Sequence, residues 1–218
     1  MFDDLIIARS PPPNRIRACP DEEEHHLPEG AVMLAFAMHL LNTVPELFEA
    51  SIHPDGEHGK RFDFRAWLER RGFEKTRQIG STSYGGRYSD SSGRTIVVNP
   101  ASGRGDVVAK AEGVSFVAEC KGGIINTRHA GQLSRLRQGL CETIGLSLKY
   151  PLVPGQRQFA VVPRTRETEI LAQKLAPRAR MAGIEIALVE GTGRVFYVTP
   201  EAYRATPLLK EGASVLNT

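Results

Sequence analysis

The sequence predicts an α/β protein. Three observations carry that prediction: a strictly alternating hairpin in mid-chain, two later segments with apolar residues at helical spacing, and short β-branched runs between them. The hairpin joins residues 106–111 to 114–121 through the two-residue turn Glu112-Gly113. Val107, Ala109, Ala111, Val114, Phe116, Ala118 and Cys120 make one apolar face. Asp106, Val108, Lys110, Ser115, Val117, Glu119 and Lys121 make the other.

The remaining elements follow in order. Residues 1–30 read as a loose leader, because Ser10-Pro-Pro-Pro13 and the run from Asp21 to His26 are turn-forming or strongly polar. His25-His26 has no companion ligands at metal-binding spacing. An apolar helix is expected over 31–41, with Met33, Leu34, Met38 and Leu41 on one side. It is too short to span a membrane, with His39 and Asn42 close by. Thr43-Val-Pro-Glu46 has capping-box spacing with proline just inside, so a second short helix is expected there. Phe64, Trp67 and Leu68 share a face of a third helix, which Asp63 is placed to cap and Gly72 to stop. Glu69 follows Arg65 by four residues, the spacing of a helical ion pair.

Strands are expected over 73–79 and 95–99, separated by a Gly/Ser-rich loop over 80–94. In that loop Tyr84, Arg87 and Tyr88 are suited to stack on bases or meet phosphates. After the hairpin and a Gly122-Gly123 loop, a helix over 128–144 carries the stripe Leu133, Leu136, Leu140 and Ile144, with Gly145 as its stop. Gln132 and Arg135 lie beside that stripe. A buried strand over 158–162 precedes a helix over 166–182, which Pro177 is expected to kink or split. Strands over 184–189 and 195–198 are joined by Gly191-Thr192-Gly193. The division expected is an acidic leader with a helical extension over 1–55 and one domain over 56–218.

Charge is uneven along the 218 residues. Residues 1–60 hold 4 Lys/Arg against 11 Asp/Glu, and residues 61–218 hold 24 against 14, net −7 and +10. A basic domain suits a polyanionic partner. The three cysteines, Cys19, Cys120 and Cys141, have neither disulfide nor metal spacing, which fits a reducing cytoplasm. Asp3-Asp4 stands where a secretory signal would be basic.

The polar face of the hairpin carries chemistry. Residues paired across this turn share a constant sum, so Asp106 falls opposite Glu119, with Cβ atoms about 4.5–5.5 Å apart. Lys121 projects from the same face about 7 Å further along. Two facing carboxylates repel, and a hard divalent cation relieves them. Mg²⁺ takes few carboxylates and completes its shell with water and phosphate, so the cluster suits metal-assisted phosphodiester hydrolysis.

Gly105-Asp106, twelve further residues, then Glu119-Cys120-Lys121 resembles the D…(D/E)-x-K motif of the PD-(D/E)xK nuclease superfamily, which includes restriction endonucleases, archaeal Holliday-junction resolvases and Mrr-like enzymes. Gly59-Lys60-Arg61-Phe62-Asp63 is similar to the G-x-x-F-E start of the first resolvase helix, and that match gives Asp63 the role of a helix-borne acid supporting the metal. Gln132 matches the polar residue of the following helix, although Leu136 stands where RecB-like members have Tyr. Gly105 stands where many members have Pro. The resemblance spans roughly residues 59 to 163.

The resemblance implies a restriction endonuclease-like core: a central mixed sheet flanked by helices in αβββαβ order, with a C-terminal αββ addition and an N-terminal helical extension. It implies a DNA endonuclease in which Asp106 and Glu119 bind Mg²⁺, with Mn²⁺ able to substitute and the Cys120 carbonyl assisting. Lys121 orients the nucleophile, and Gln132 supports the site. Arg87, Arg104, Arg135 and Arg137 are the candidates for phosphate contact. Duplex or branched DNA, a homodimer, and a partner protein that supplies specificity are the implied associations, with no membrane. The alternatives are a non-catalytic nucleic-acid-binding module on the same fold and a nuclease subunit dependent on a partner.

Overall fold

The computed structural model describes residue 2 and residues 4–199. In chain order the elements are β1 (Ile7–Arg9), β2 (Glu24–Leu27), α1 (Glu29–Thr43), β3 (Glu49–Ile52), α2 (Gly56–Arg61), α3 (Phe64–Glu69), β4 (Glu74–Gln78), β5 (Gly86–Ser89) and β6 (Thr95–Val98). Then come β7 (Val107–Ala111), β8 (Val114–Cys120), β9 (Gly123–Ile124), α4 (Ala130–Ser147), β10 (Gln156–Pro163), α5 (Arg166–Met181), β11 (Ile184–Val189) and β12 (Val195–Tyr197). A short 3-10 turn, Ile16–Ala18, lies between β1 and β2.

One nine-stranded mixed sheet runs in the order β12-β11-β10-β8-β7-β3-β6-β5-β4. Helices cover both of its faces. α1 is buried at every residue from Gly30 to Met38, so it is apolar on all sides and forms the interior of one layer. Against it pack Val107, Ala109, Phe116, Ala118 and Cys120 of the hairpin, with Phe159 and Val161 of β10. The alternate residues of β10, Ala160 and Val162, face the other way into a second core. There Leu140 of α4 meets Ala172 and Ala176 of α5, and Ile186 and Leu188 of β11 complete it. The pleat of β10 thus feeds two helical layers.

The hairpin forms in the expected register, Val107 to Ala118 through Ala111 to Val114, and its apolar face is the buried one. β10, β11 and β12 also match, and so does the turn joining the last two. The mixed sheet flanked by helices is present, but the expected αβββαβ order does not run uninterrupted. β3, β7, β8 and β10 are neighbours in the sheet, with α1 ahead of β3 and α4 ahead of β10, while α2 to β6 and then β9 intervene in the chain. The segment from α2 to β6, which includes the helix and first strand expected to begin that order, is an excursion between β3 and β7.

Several other expectations are corrected. Residues 1–30 are not a loose leader, because β1 and β2 join β9 in a three-stranded sheet and Leu5 and Leu27 are fully buried. β9 also takes the place of the expected Gly122-Gly123 loop. The separation at residue 55 is absent among the described residues: α1 is central, and β3 lies in the middle of the sheet between β6 and β7. The part of the expected 56–218 domain beyond Thr199 lies outside the described residues. Thr43 ends α1 instead of capping a second helix. Its hydroxyl donates back to His39 O at 2.7 Å, and the chain turns at Glu46 with φ 60°. The loop expected over 80–94 contains β5, which pairs with both β4 and β6. α4 continues through Gly145, and α5 runs through Pro177 as one helix. No helix among the described residues is long and apolar enough to cross a membrane.

Candidate functional site

Asp106 directly precedes β7. Its N–H donates to Ala118 O at 2.8 Å, the residue that Val107 already pairs, so the regular ladder ends at Val107 and Asp106 sits just beyond it, near Glu119. Gly105 makes this entry possible. Its φ is 93°, and a Cβ there would lie 2.8 Å from Val117 Cγ1 and 3.0 Å from Ala118 O. Proline, locked near φ −65°, is excluded from that position.

Asp106 Oδ2 accepts from Cys120 N–H at 2.7 Å. Burial lifts the Asp106 carboxyl to about 7, against the pull of that N–H, and repulsion from Glu119 and Glu29 adds to the rise. Glu119 is 6 % exposed, and its Oε1 accepts from the Tyr150 hydroxyl at 2.6 Å. Burial and this carboxylate together push the Tyr150 phenol well above its ordinary value. The Cys120 thiol is fully buried in the core, as its position in the strand predicts.

Lys121 Nζ lies 3.4 Å from both Glu29 Oε1 and Glu142 Oε1. Burial works against its charge, but the two carboxylates outweigh burial and raise its pKa. Gly139 lets α4 pass close above it: a Cβ there would be 3.3 Å from Lys121 Cβ. Glu29 opens α1 and also receives His58 Nε2 at 3.3 Å. His58 is held from behind, since its Nδ1 accepts from Asp55 N–H at 3.1 Å while its own N–H caps on Asp55 Oδ1 at 2.9 Å. Burial lowers the His58 pKa, but Glu29, Asp55 and Asp106 raise it more, and the net shift is upward.

Of the expected residues, Asp106, Glu119 and Lys121 come together. Gln132 and Arg135, on the first turns of α4, line a cleft of about 210 Å³ shared with Glu29 and His58. Asp63 is corrected: it caps α3, with Oδ1 accepting from Ala66 N–H at 2.9 Å, and Glu29 is the helix-borne carboxylate beside Lys121. Glu69 pairs with Arg65 at 2.7 Å. Arg87 lies in β5, where it is paired with Glu49 on the surface. Its neighbour Tyr88 is fully buried and donates its hydroxyl to Tyr84 O at 2.7 Å, so Tyr88 cannot stack on a base. Arg104 lies over the Tyr150 ring, 5.6 Å from its centroid. Arg137 is exposed on α4, outside the cleft.

Sequence reasoning missed Glu29, His58, Glu142 and Tyr150. Only the Asp55–His58 pair left a local signal, the spacing of a capping box.

No group of three or more His, Cys, Asp or Glu side chains among the described residues is arranged to hold a metal ion by itself. Cys120 N–H and Tyr150 each engage one oxygen of Asp106 and Glu119, leaving the other oxygen of each carboxylate. Two mutually repelling carboxylates with one such oxygen apiece fit Mg²⁺, which takes one or two carboxylates and fills its shell with water and phosphate. They do not fit a closed all-protein cage.

Comparison with known proteins finds no matching family model, no matching curated protein and no matching solved structure.

Proposed function

We propose that the protein is a divalent-metal-dependent nuclease that hydrolyses phosphodiester bonds in DNA. The observation that carries this reading is geometric: Cys120 N–H holds one oxygen of Asp106 and the Tyr150 hydroxyl holds one oxygen of Glu119, with the Lys121 ammonium following directly in the chain and held by Glu29. The neighbouring strands β3, β7, β8 and β10, with α1 ahead of them and α4 ahead of β10, support a restriction endonuclease-like core into which α2 to β6 and β9 are inserted.

In this reading Asp106 and Glu119 would hold Mg²⁺ or Mn²⁺ through their remaining oxygens. Bound there, the ion would supply Lewis acidity toward a phosphoryl oxygen. Lys121 would lie against the same phosphate and stabilise the charge that builds on its oxygens. Glu29 would take the role the resemblance gave to Asp63, fixing Lys121 and His58. Glu142 keeps Lys121 cationic, and Gln132 and Arg135 would contact the substrate strand. Duplex or branched DNA is the proposed substrate. A homodimer is proposed because cutting both strands needs two sites, with a partner protein as the alternative source of specificity.

One observation favours the second reading, a non-catalytic nucleic-acid-binding module: Lys121 is already held between two carboxylates. Cleavage of supercoiled plasmid, linear duplex, single strand and four-way junction separates the two. The reactions contain Mg²⁺, Mn²⁺ or EDTA, with Asp106→Ala and Lys121→Ala in parallel. Metal-dependent cutting that both variants lose supports the nuclease. Salt-sensitive binding without cutting in any metal leaves the binding module.

A further inference from the structure

Three arginines reach the cleft beside Lys121 from three elements: Arg9 from β1, Arg61 from the last turn of α2, and Arg135 from α4. Among the described residues none of them makes an ion pair or a side-chain hydrogen bond, whereas neighbouring Arg15 is paired with Glu24 at 3.0 Å. Like charges gathered without counter-charge raise the energy of the folded chain, and an anion relieves them. Glu29 lines the same cleft, but its Oε1 is shared by His58 and Lys121.

The cleft starts one residue past Lys121, and its floor is the backbone of Gly122-Gly123. A Cβ at Gly122 would lie 2.5 Å from Leu27 O, so the close approach of β9 to the start of α1 requires glycine there. Gln132 and Arg135 form a ridge, and beyond it lies a second cleft of about 330 Å³ that also meets Arg15 and His129. The two clefts adjoin along Gln132 and Arg135, which line both.

We infer that the phosphates of a nucleic-acid strand lie in this cleft against Arg9, Arg61 and Arg135. The strand runs from Lys121 past Gly122-Gly123 and over Arg135 into the second cleft. The inference rests on the reading of the neighbouring site as one that acts on phosphodiesters. It assigns substrate contacts to Arg9 and Arg61, which belong to the N-terminal sheet and to the excursion between β3 and β7.

Binding in EDTA tests it apart from catalysis. The probe is a fluorescein-labelled single-stranded oligonucleotide followed by anisotropy over a series of salt concentrations. Arg61→Ala and Arg135→Ala are each expected to weaken binding about tenfold, the scale of one charge-assisted hydrogen bond. Each is also expected to flatten the slope of log K against log salt by about 0.7. Lys174→Ala, which removes an exposed charge on α5, is expected to change neither. Equal losses in all three variants would reduce the effect to diffuse surface charge and overturn the inference, as would no loss at Arg61 and Arg135. Displacement of the oligonucleotide by AMP as readily as by unlabelled strand would make the cleft a mononucleotide pocket and overturn the strand path. If no metal supports cleavage while the two arginine variants still lose binding, the strand path stands and the nuclease reading falls.

Discussion

The Tyr150 hydroxyl donates to Glu119 Oε1 across 2.6 Å, which ties the chain just beyond α4 to the far end of β8. Removing that hydroxyl leaves Glu119 free to rotate. In the proposed nuclease, where Glu119 would hold the metal, Tyr150→Phe is expected to lower cleavage about 10- to 100-fold, the usual cost of losing a partner that orients a ligand. Raising Mg²⁺ should recover part of the loss. Titration of cleavage rate against Mg²⁺ checks this, and an unchanged titration curve would contradict the role.

In the proposed nuclease Glu29, beside Lys121, takes the supporting role that the resemblance gave to Asp63, and Asp63 caps α3. Glu29→Gln is expected to cut activity by at least about tenfold with little effect on stability, because it releases Lys121 and His58. Asp63→Ala is expected to cost about 1 kcal/mol in urea unfolding through loss of the α3 cap and to leave cleavage intact. The opposite pattern would restore Asp63 to the site.

The carboxyl of Asp106 sets a pH dependence. Burial, with Glu119 and Glu29, lifts its folded value to about 7, above an unfolded value of about 3.9. Its contribution to stability is therefore fully present below about pH 4 and is lost as pH rises through about 7. In EDTA, the thermal midpoint of the native protein should fall relative to Asp106→Asn between pH 4 and pH 8. Parallel curves for the two proteins would show that Asp106 titrates normally.

Gly105 is held at φ 93° against Val117 and Ala118. Gly105→Ala is expected to destabilise by about 1–3 kcal/mol, the cost of a strained left-handed residue. Gly105→Pro is expected to prevent native folding. Denaturant unfolding of the alanine variant is the measurement, and a cost below about 0.5 kcal/mol would mean that the turn has room to relax.

The hairpin was legible in the sequence because its register is local. A two-residue turn and strict alternation fix every pair from Val107–Ala118 inward, and the positions of Glu119 and Lys121 at and just past the end of β8 follow from that arithmetic. The role of α1 was not legible. A helix apolar on all sides has no amphipathic stripe to show what it packs against, and Glu29 acquires meaning only when α1 docks on the sheet beside β8. The leader misled for a related reason. Proline and acidic runs read as unstructured, yet β2 is held by a partner, β9, about a hundred residues away, and Glu24 is buried against Arg15. Arg87 looked free because its partner Glu49 is not local in the sequence.

The chain leaves β3 at Ile52 and enters β7 at Val107, and these two residues are paired across the ladder. The segment between them is no free loop, because its β6 pairs with the other edge of β3 and carries β5 and β4 with it. His58 and Arg61 lie on this segment, whereas Asp106, Glu119 and Lys121 do not. In the proposed nuclease, the residues that would meet the strand can therefore be exchanged apart from those that would hold the metal only while the pairing of β3 with β6 is kept.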